Sequence, residues 1–295
     1  MNLQRKANFV YRRVDRWSGG VLSILVRTFE SFSQNNAGEA AASIAYYALF
    51  SFFPLLIFLI GFVNSILASE AVQQIVLDFV AESLPTAQQL VKENIERALE
   101  LQGPIQVAGT IGLLWAATGV FTALAHNINR AWHTAKRRNF LLSRLIGFIM
   151  VISLTGLLIL WVIFTTAFSV LPLFEIPLLG SISIYETYAW SLLSKLLPAA
   201  LLFFTLVNLF RWVPNTKVRW REAFWGAVVA TVGMELTTRG FSWYLTSGFA
   251  RYQVVYGSLG VVVAWMLWLY LSSVTVLFGA HLSAAIAFQT RLKEK

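Results

Sequence analysis

Residues 40–67, AAASIAYYALFSFFPLLIFLIGFVNSIL, run for 28 positions without a charge. A helix rises ~1.5 Å per residue, so ~20 apolar residues already cross the ~30 Å hydrocarbon layer of a bilayer. A run of this length confines the chain to folds that sit in lipid. Pro54 lies inside it and has no backbone N–H, which predicts a local helix break. The small residues at its start (Ala37, Gly38, Ala40, Ala41, Ala42, Ser43 and Ala45) let a second helix approach closely.

The other apolar runs repeat the pattern. With 57% apolar and 13% charged residues, the chain departs from the ~45–50% and ~25% of soluble domains. Further spans are predicted over 104–125, 145–170, 189–210, 223–245 and 259–288, with Pro198 interrupting the fourth. The fold class is therefore all-α, a polytopic membrane protein with six transmembrane helices occupying residues 40–288. Residues 1–39 form a basic arm in which Trp17, Val21, Ile24, Leu25, Thr28, Phe29 and Phe32 recur at helical spacing. That spacing predicts an amphipathic helix lying on the membrane; the alternative is a soluble helix that binds a partner. The arm lacks the ordered regions of a cleavable signal peptide. Residues 69–103 are acidic and read as a helical hairpin broken at Leu84-Pro85. Residues 289–295 form a polar tail.

The charges set the orientation. Of 23 lysines and arginines, 18 fall in the arm, the loops after the second and fourth spans, and the tail. The other five are Lys92, Arg97, Lys195, Arg239 and Arg251. Lysine and arginine concentrate on the cytoplasmic side, so both termini are expected inside. The net charge of +9 is then accounted for without nucleic acid. Trp132, Trp212, Trp220 and Trp225 sit where interfacial aromatics belong.

An ionisable side chain at mid-bilayer costs at least ~2.5–3.5 kcal/mol, so Glu235 and Arg239 in the fifth span need a reason. They share a helix face with Thr231, Thr238 and Ser242. One reading is an i, i+4 pair that offsets its own burial; the other is a polar face lining a water-filled cavity. Lys195 and Arg251 lie toward the outer leaflet and either snorkel or join Arg239 in a cationic cluster suited to an anionic group. Glu39, Ser43, Tyr46 and Asn64 follow one face of the first span, with Tyr46 and Asn64 as packing contacts or substrate contacts. His281 in the sixth span is either a hydrogen-bonding core residue or part of a proton path. His126 and His133 flank a basic loop without nearby carboxylates, so no metal or other cofactor is expected. The chain has no cysteine, and no phosphate loop or nucleophile elbow appears, so no enzymatic activity is expected. Prolines in the first helix of each three-helix half suggest an inverted repeat.

Four stretches carry a family resemblance: AASIAYYALFSFFPLLI, ALAHNINRAWH, RWVPN at 211–215, and YGSLGVVVAWMLWLYLSSVTVLFGAHLSA. Together they resemble the YihY/BrkB family of bacterial inner-membrane proteins across nearly the whole chain. The resemblance implies six helices in the cytoplasmic membrane. Family members have carried the labels ribonuclease BN and virulence factor. The chain offers no soluble domain or metal-ligand cluster in which to hydrolyse RNA. It departs from the family pattern at His281, where glutamate is common, and at Ser283, where asparagine is frequent.

The expected function is transport or flipping of an anionic lipid or similar amphiphile. The alternative is a non-transporting factor that assembles or regulates envelope proteins. Membrane lipids are the expected partners.

Overall fold

The computed structural model describes residues 20–67, 104–136, 138–153, 156, 188–247 and 260–293. Among them the chain forms seven helices and no strand. These are α1 (Val21–Gln34), α2 (Ala37–Leu67), α3 (Pro104–Ala131), α4 (Phe140–Ser153), α5 (Tyr188–Trp212), α6 (Trp220–Thr246) and α7 (Gly260–Lys293). The expected hairpin at 69–103 lies outside the described residues, as do residues 1–19 and Arg251. Within the described residues, Val262–Leu292 is long and apolar enough to cross a membrane, with a mean hydropathy of 1.8.

Local chemistry fixes several boundaries. Gly20 adopts φ +93° ahead of α1, a conformation glycine reaches without a Cβ clash. The α1–α2 junction turns at Asn36, which takes φ +50°, a left-handed position that asparagine tolerates better than most residues. Asn35 Nδ2 donates to the Ser31 carbonyl at 2.8 Å, satisfying one of the acceptors left open at a helix end. Glu39 in the first turn of α2 meets the positive end of the helix dipole. The helix begins at Ala37, so the arm's last residues already belong to α2. Pro54 and Pro198 both sit within continuous helices, α2 and α5.

α7 is the central element, packed on α6, α2, α1 and α3; α2 also packs on α3, and α5 on α6. The interior is built from small residues. Of the 25 buried apolar residues among those described, 14 are alanine. Phe29, Phe204, Leu236 and Trp243 instead face outward. Water would drive the large apolar side chains inside; lipid removes that drive, and close backbone approach governs helix packing.

The tightest seam joins α6 to α7. A Cβ built on Gly279 would stand 2.6 Å from Ala230 Cβ and 2.8 Å from the Gly226 carbonyl oxygen. One built on Gly226 would stand 2.6 Å from the Gly279 carbonyl oxygen. Across α3 and α4, a Cβ on Gly147 would meet Thr122 Oγ1 at 2.6 Å.

Candidate functional site

The residues singled out in the sequence do not gather into one site. Arg239 Nε donates to Glu235 Oε1 at 2.7 Å within α6, with the two side chains 77% and 56% exposed among the described residues. The side chains of Lys195 and Asn64 lie outside the described residues, as does the whole of Arg251. Tyr46 is exposed, and its ring contacts among the described residues are with Tyr47 and Phe50 of its own helix, at 5.8 and 4.6 Å between centroids. His281 is buried; its Nδ1 shares a 2.9 Å hydrogen bond with Ser31 Oγ, and its ring meets Phe32 edge-on at 5.6 Å. This bond joins α1 to α7, and the Phe29 and Phe32 rings also pack on Phe278, at 5.2 and 6.1 Å between centroids. Thr28 and Ser31 are buried, while Val21, Leu25, Val26 and Phe29 are exposed. The predicted helix forms, with Val21, Leu25 and Val26 facing away from the bundle and Phe32 packed against its core.

A cavity of about 380 Å³ opens where α1, the turn after α3 and the end of α7 converge, within the ~300–1,000 Å³ range of small-ligand sites. Its polar wall holds Arg27, His133, Arg291, Ser31 and Thr134; its apolar wall holds alanines with Phe288 and Leu292. Both guanidinium groups are held in place. Arg27 stacks over Phe288, 3.2 Å from the ring centroid. Arg291 Nη2 donates to the Lys217 carbonyl at 2.8 Å, using one of the five N–H donors a guanidinium carries. Gln289 Nε2 reaches back to Ser23 Oγ at 2.9 Å and ties α7 to the start of α1.

Trp212, Trp220 and Trp225 are exposed, whereas Trp132 is buried in the cavity wall. Its Nε1 has no hydrogen-bond partner among the described residues. Buried indole N–H groups usually find a partner; this one lies inside the wall without one among the described residues. Glu222 is a second residue the sequence reading passed over. It is buried at the start of α6, where its Oε2 accepts from the Arg219 backbone N–H at 2.8 Å and its Oε1 has no partner among the described residues.

Hydrogen bonds fasten the two basic loops beside the cavity. Asn215 N donates to Asn129 Oδ1 at 2.7 Å, and Asn215 Nδ2 to the Lys136 carbonyl at 3.3 Å. Arg138 Nη1 donates to the Val213 carbonyl at 2.6 Å, and partial burial lowers the Arg138 pKa from its ordinary value. The RWVPN stretch is thus a docking edge for the loop after α3.

An all-helical bundle with small residues inside and large apolar ones outside defines a helical membrane protein. The chain belongs to the family described as Virulence factor BrkB, which it matches over residues 28–295. It is also similar to curated UPF0761 membrane proteins of Xanthomonas campestris, Xanthomonas axonopodis and Xanthomonas oryzae. Each is 30% identical over 267 residues, covering 87% of this chain and 59% of the relative. The chain thus spans a little under three fifths of those relatives' length. No solved structure matches it.

Proposed function

We propose that this chain is a six-span inner-membrane protein with both termini in the cytoplasm, and that it moves an anionic lipid or similar amphiphile between leaflets. No bond is made or broken in that activity. The Glu235–Arg239 pair carries the reading. α6 has 27 residues, about 40 Å of helix, and Glu235 lies roughly 22 Å from its start, near the middle. An ion pair at that depth on an outward face is costly against hydrocarbon. A hydrated path for a charged headgroup would offset the cost. Lys195 and Arg251 supply cations toward the outer end of such a path. The distribution of lysine and arginine supports the orientation.

The test uses the purified protein in liposomes carrying a fluorescent anionic lipid. Arg239→Ala should reduce leaflet exchange to the protein-free rate. Glu235→Gln/Arg239→Gln, which removes both charges while keeping side-chain size, should do the same and remain folded. Wild-type exchange in either folded variant would refute the polar-path reading. No exchange in the wild type, with a stably co-purifying envelope protein, would favour the assembly-factor alternative.

A further inference from the structure

We propose that the cavity between α1, the turn after α3 and the end of α7 binds the phosphate of an anionic lipid headgroup, with acyl chains lying along Phe288 and Leu292. The site rests on the cytoplasmic placement of these basic segments and does not require transport.

Donors dominate the polar wall. Arg27 and Arg291 present guanidinium forks, Ser31 and Thr134 present hydroxyls, His133 presents an imidazole, and no acidic residue lines the cavity among the described residues. Guanidinium geometry matches paired phosphate oxygens. The stacking of Arg27 and the carbonyl bond of Arg291 restrain both groups before ligand arrives, which lowers the ordering cost of binding.

The apolar side distinguishes a lipid from a free anion. Ala284, Ala285 and Ala287 line the cavity, and Phe288 and Leu292 carry the apolar wall to the outside, 40% and 58% exposed. A free phosphate gains nothing from that strip. An amphiphile buries it at about 25 cal/mol per Å².

The experiment measures binding to the full chain in a neutral detergent. Dioctanoyl phosphatidylglycerol is the probe, followed by thermal shift and by thermophoresis. Dioctanoyl phosphatidylcholine, glycerol phosphate and inorganic phosphate are the comparison ligands. The expected result is saturable stabilisation by phosphatidylglycerol, with a weaker response to each comparison ligand. Arg27→Gln/Arg291→Gln should weaken phosphatidylglycerol binding by about ten-fold or more. Arg291→Gln alone gives up one exposed carbonyl bond; it should weaken binding several-fold, with melting in the absence of ligand close to wild type. Arg144→Gln, a cationic change outside the cavity, should leave affinity intact. Equal binding of inorganic phosphate would overturn the lipid assignment. Wild-type affinity in Arg291→Gln and in the folded double arginine variant would overturn the site. Because binding is read in micelles, a failure of lipid exchange in liposomes leaves this result standing.

Discussion

The α6–α7 seam offers the most direct test of the packing. Gly279→Ala places a methyl 2.6 Å from Ala230 Cβ and 2.8 Å from the Gly226 carbonyl oxygen. Both neighbours are fixed to backbone, so no rotamer change relieves the clash. Ordinary van der Waals contact begins at 3.4 Å, and the helices must separate by nearly 1 Å. Overpacking of this kind costs about 1–3 kcal/mol. The control is Gly240→Ala on α6, where a Cβ meets nothing within 4 Å among the described residues. There, alanine gains about 0.8–1 kcal/mol of helix propensity. Gly279→Ala gains the same propensity, so the two variants should differ by the overpacking cost alone, roughly 1–3 kcal/mol. At about 2–4 °C per kcal/mol for a chain approaching this size, their melting midpoints should separate by roughly 2–12 °C. The assay heats detergent-purified protein and measures the monodisperse fraction by size-exclusion chromatography. Gly279→Ala melting with Gly240→Ala would refute the account of backbone contact.

Two further perturbations address the polar contacts. Ser31→Ala removes the partner of a buried imidazole and should cost about 1–3 kcal/mol, read as a lower melting midpoint and faster hydrogen exchange in α1; an unchanged midpoint would show that the Ser31–His281 bond is not what holds α1. Arg138→Ala removes the Val213 carbonyl bond and, combined with Asn215→Ala, should increase protease cleavage in the loop after α3 without changing the melting midpoint of the bundle.

Helix placement was legible because continuous apolar runs carry it. The runs at 104–125, 189–210 and 223–245 fall within α3, α5 and α6, and α7 covers 260–288 of the last run, whose first residue lies outside the described residues. The extra turns at α3 and α7 are polar or small and resemble loop in composition, yet they build the cavity. Glu235 and Arg239 stood out because charges in an apolar run are conspicuous. Arg27 and Arg291 did not, because topology alone accounts for basic residues at a membrane boundary. Trp132 looked like an interfacial aromatic for the same reason. Its burial depends on how the turn after α3 folds back toward α7, a tertiary event that composition and spacing do not encode. An orphaned donor beside cations of the same loop cluster becomes visible only in three dimensions.

The two seams of α7 differ in how readily they can separate. Against α6, the Gly226–Gly279 approach is backbone on backbone, and opening it forfeits many van der Waals contacts with nothing to replace them. Against α1, the contacts include the Ser31–His281 and Gln289–Ser23 bonds, the Arg27 stack and the Phe29 and Phe32 rings on Phe278. Water or a ligand phosphate can take over the two hydrogen bonds nearly in kind. The cavity lies along this second seam, so a headgroup entering it competes for the groups that hold α1 down. Occupancy and α1 docking are thereby linked, and a ligand that binds Arg27 must change the protection of α1 by the difference in its affinity for the docked and released helix. Hydrogen exchange in α1, followed as phosphatidylglycerol is titrated, should change along the binding curve while exchange at the α6–α7 seam stays constant. A seam and an α1 that respond together would mean that the bundle loosens as one body.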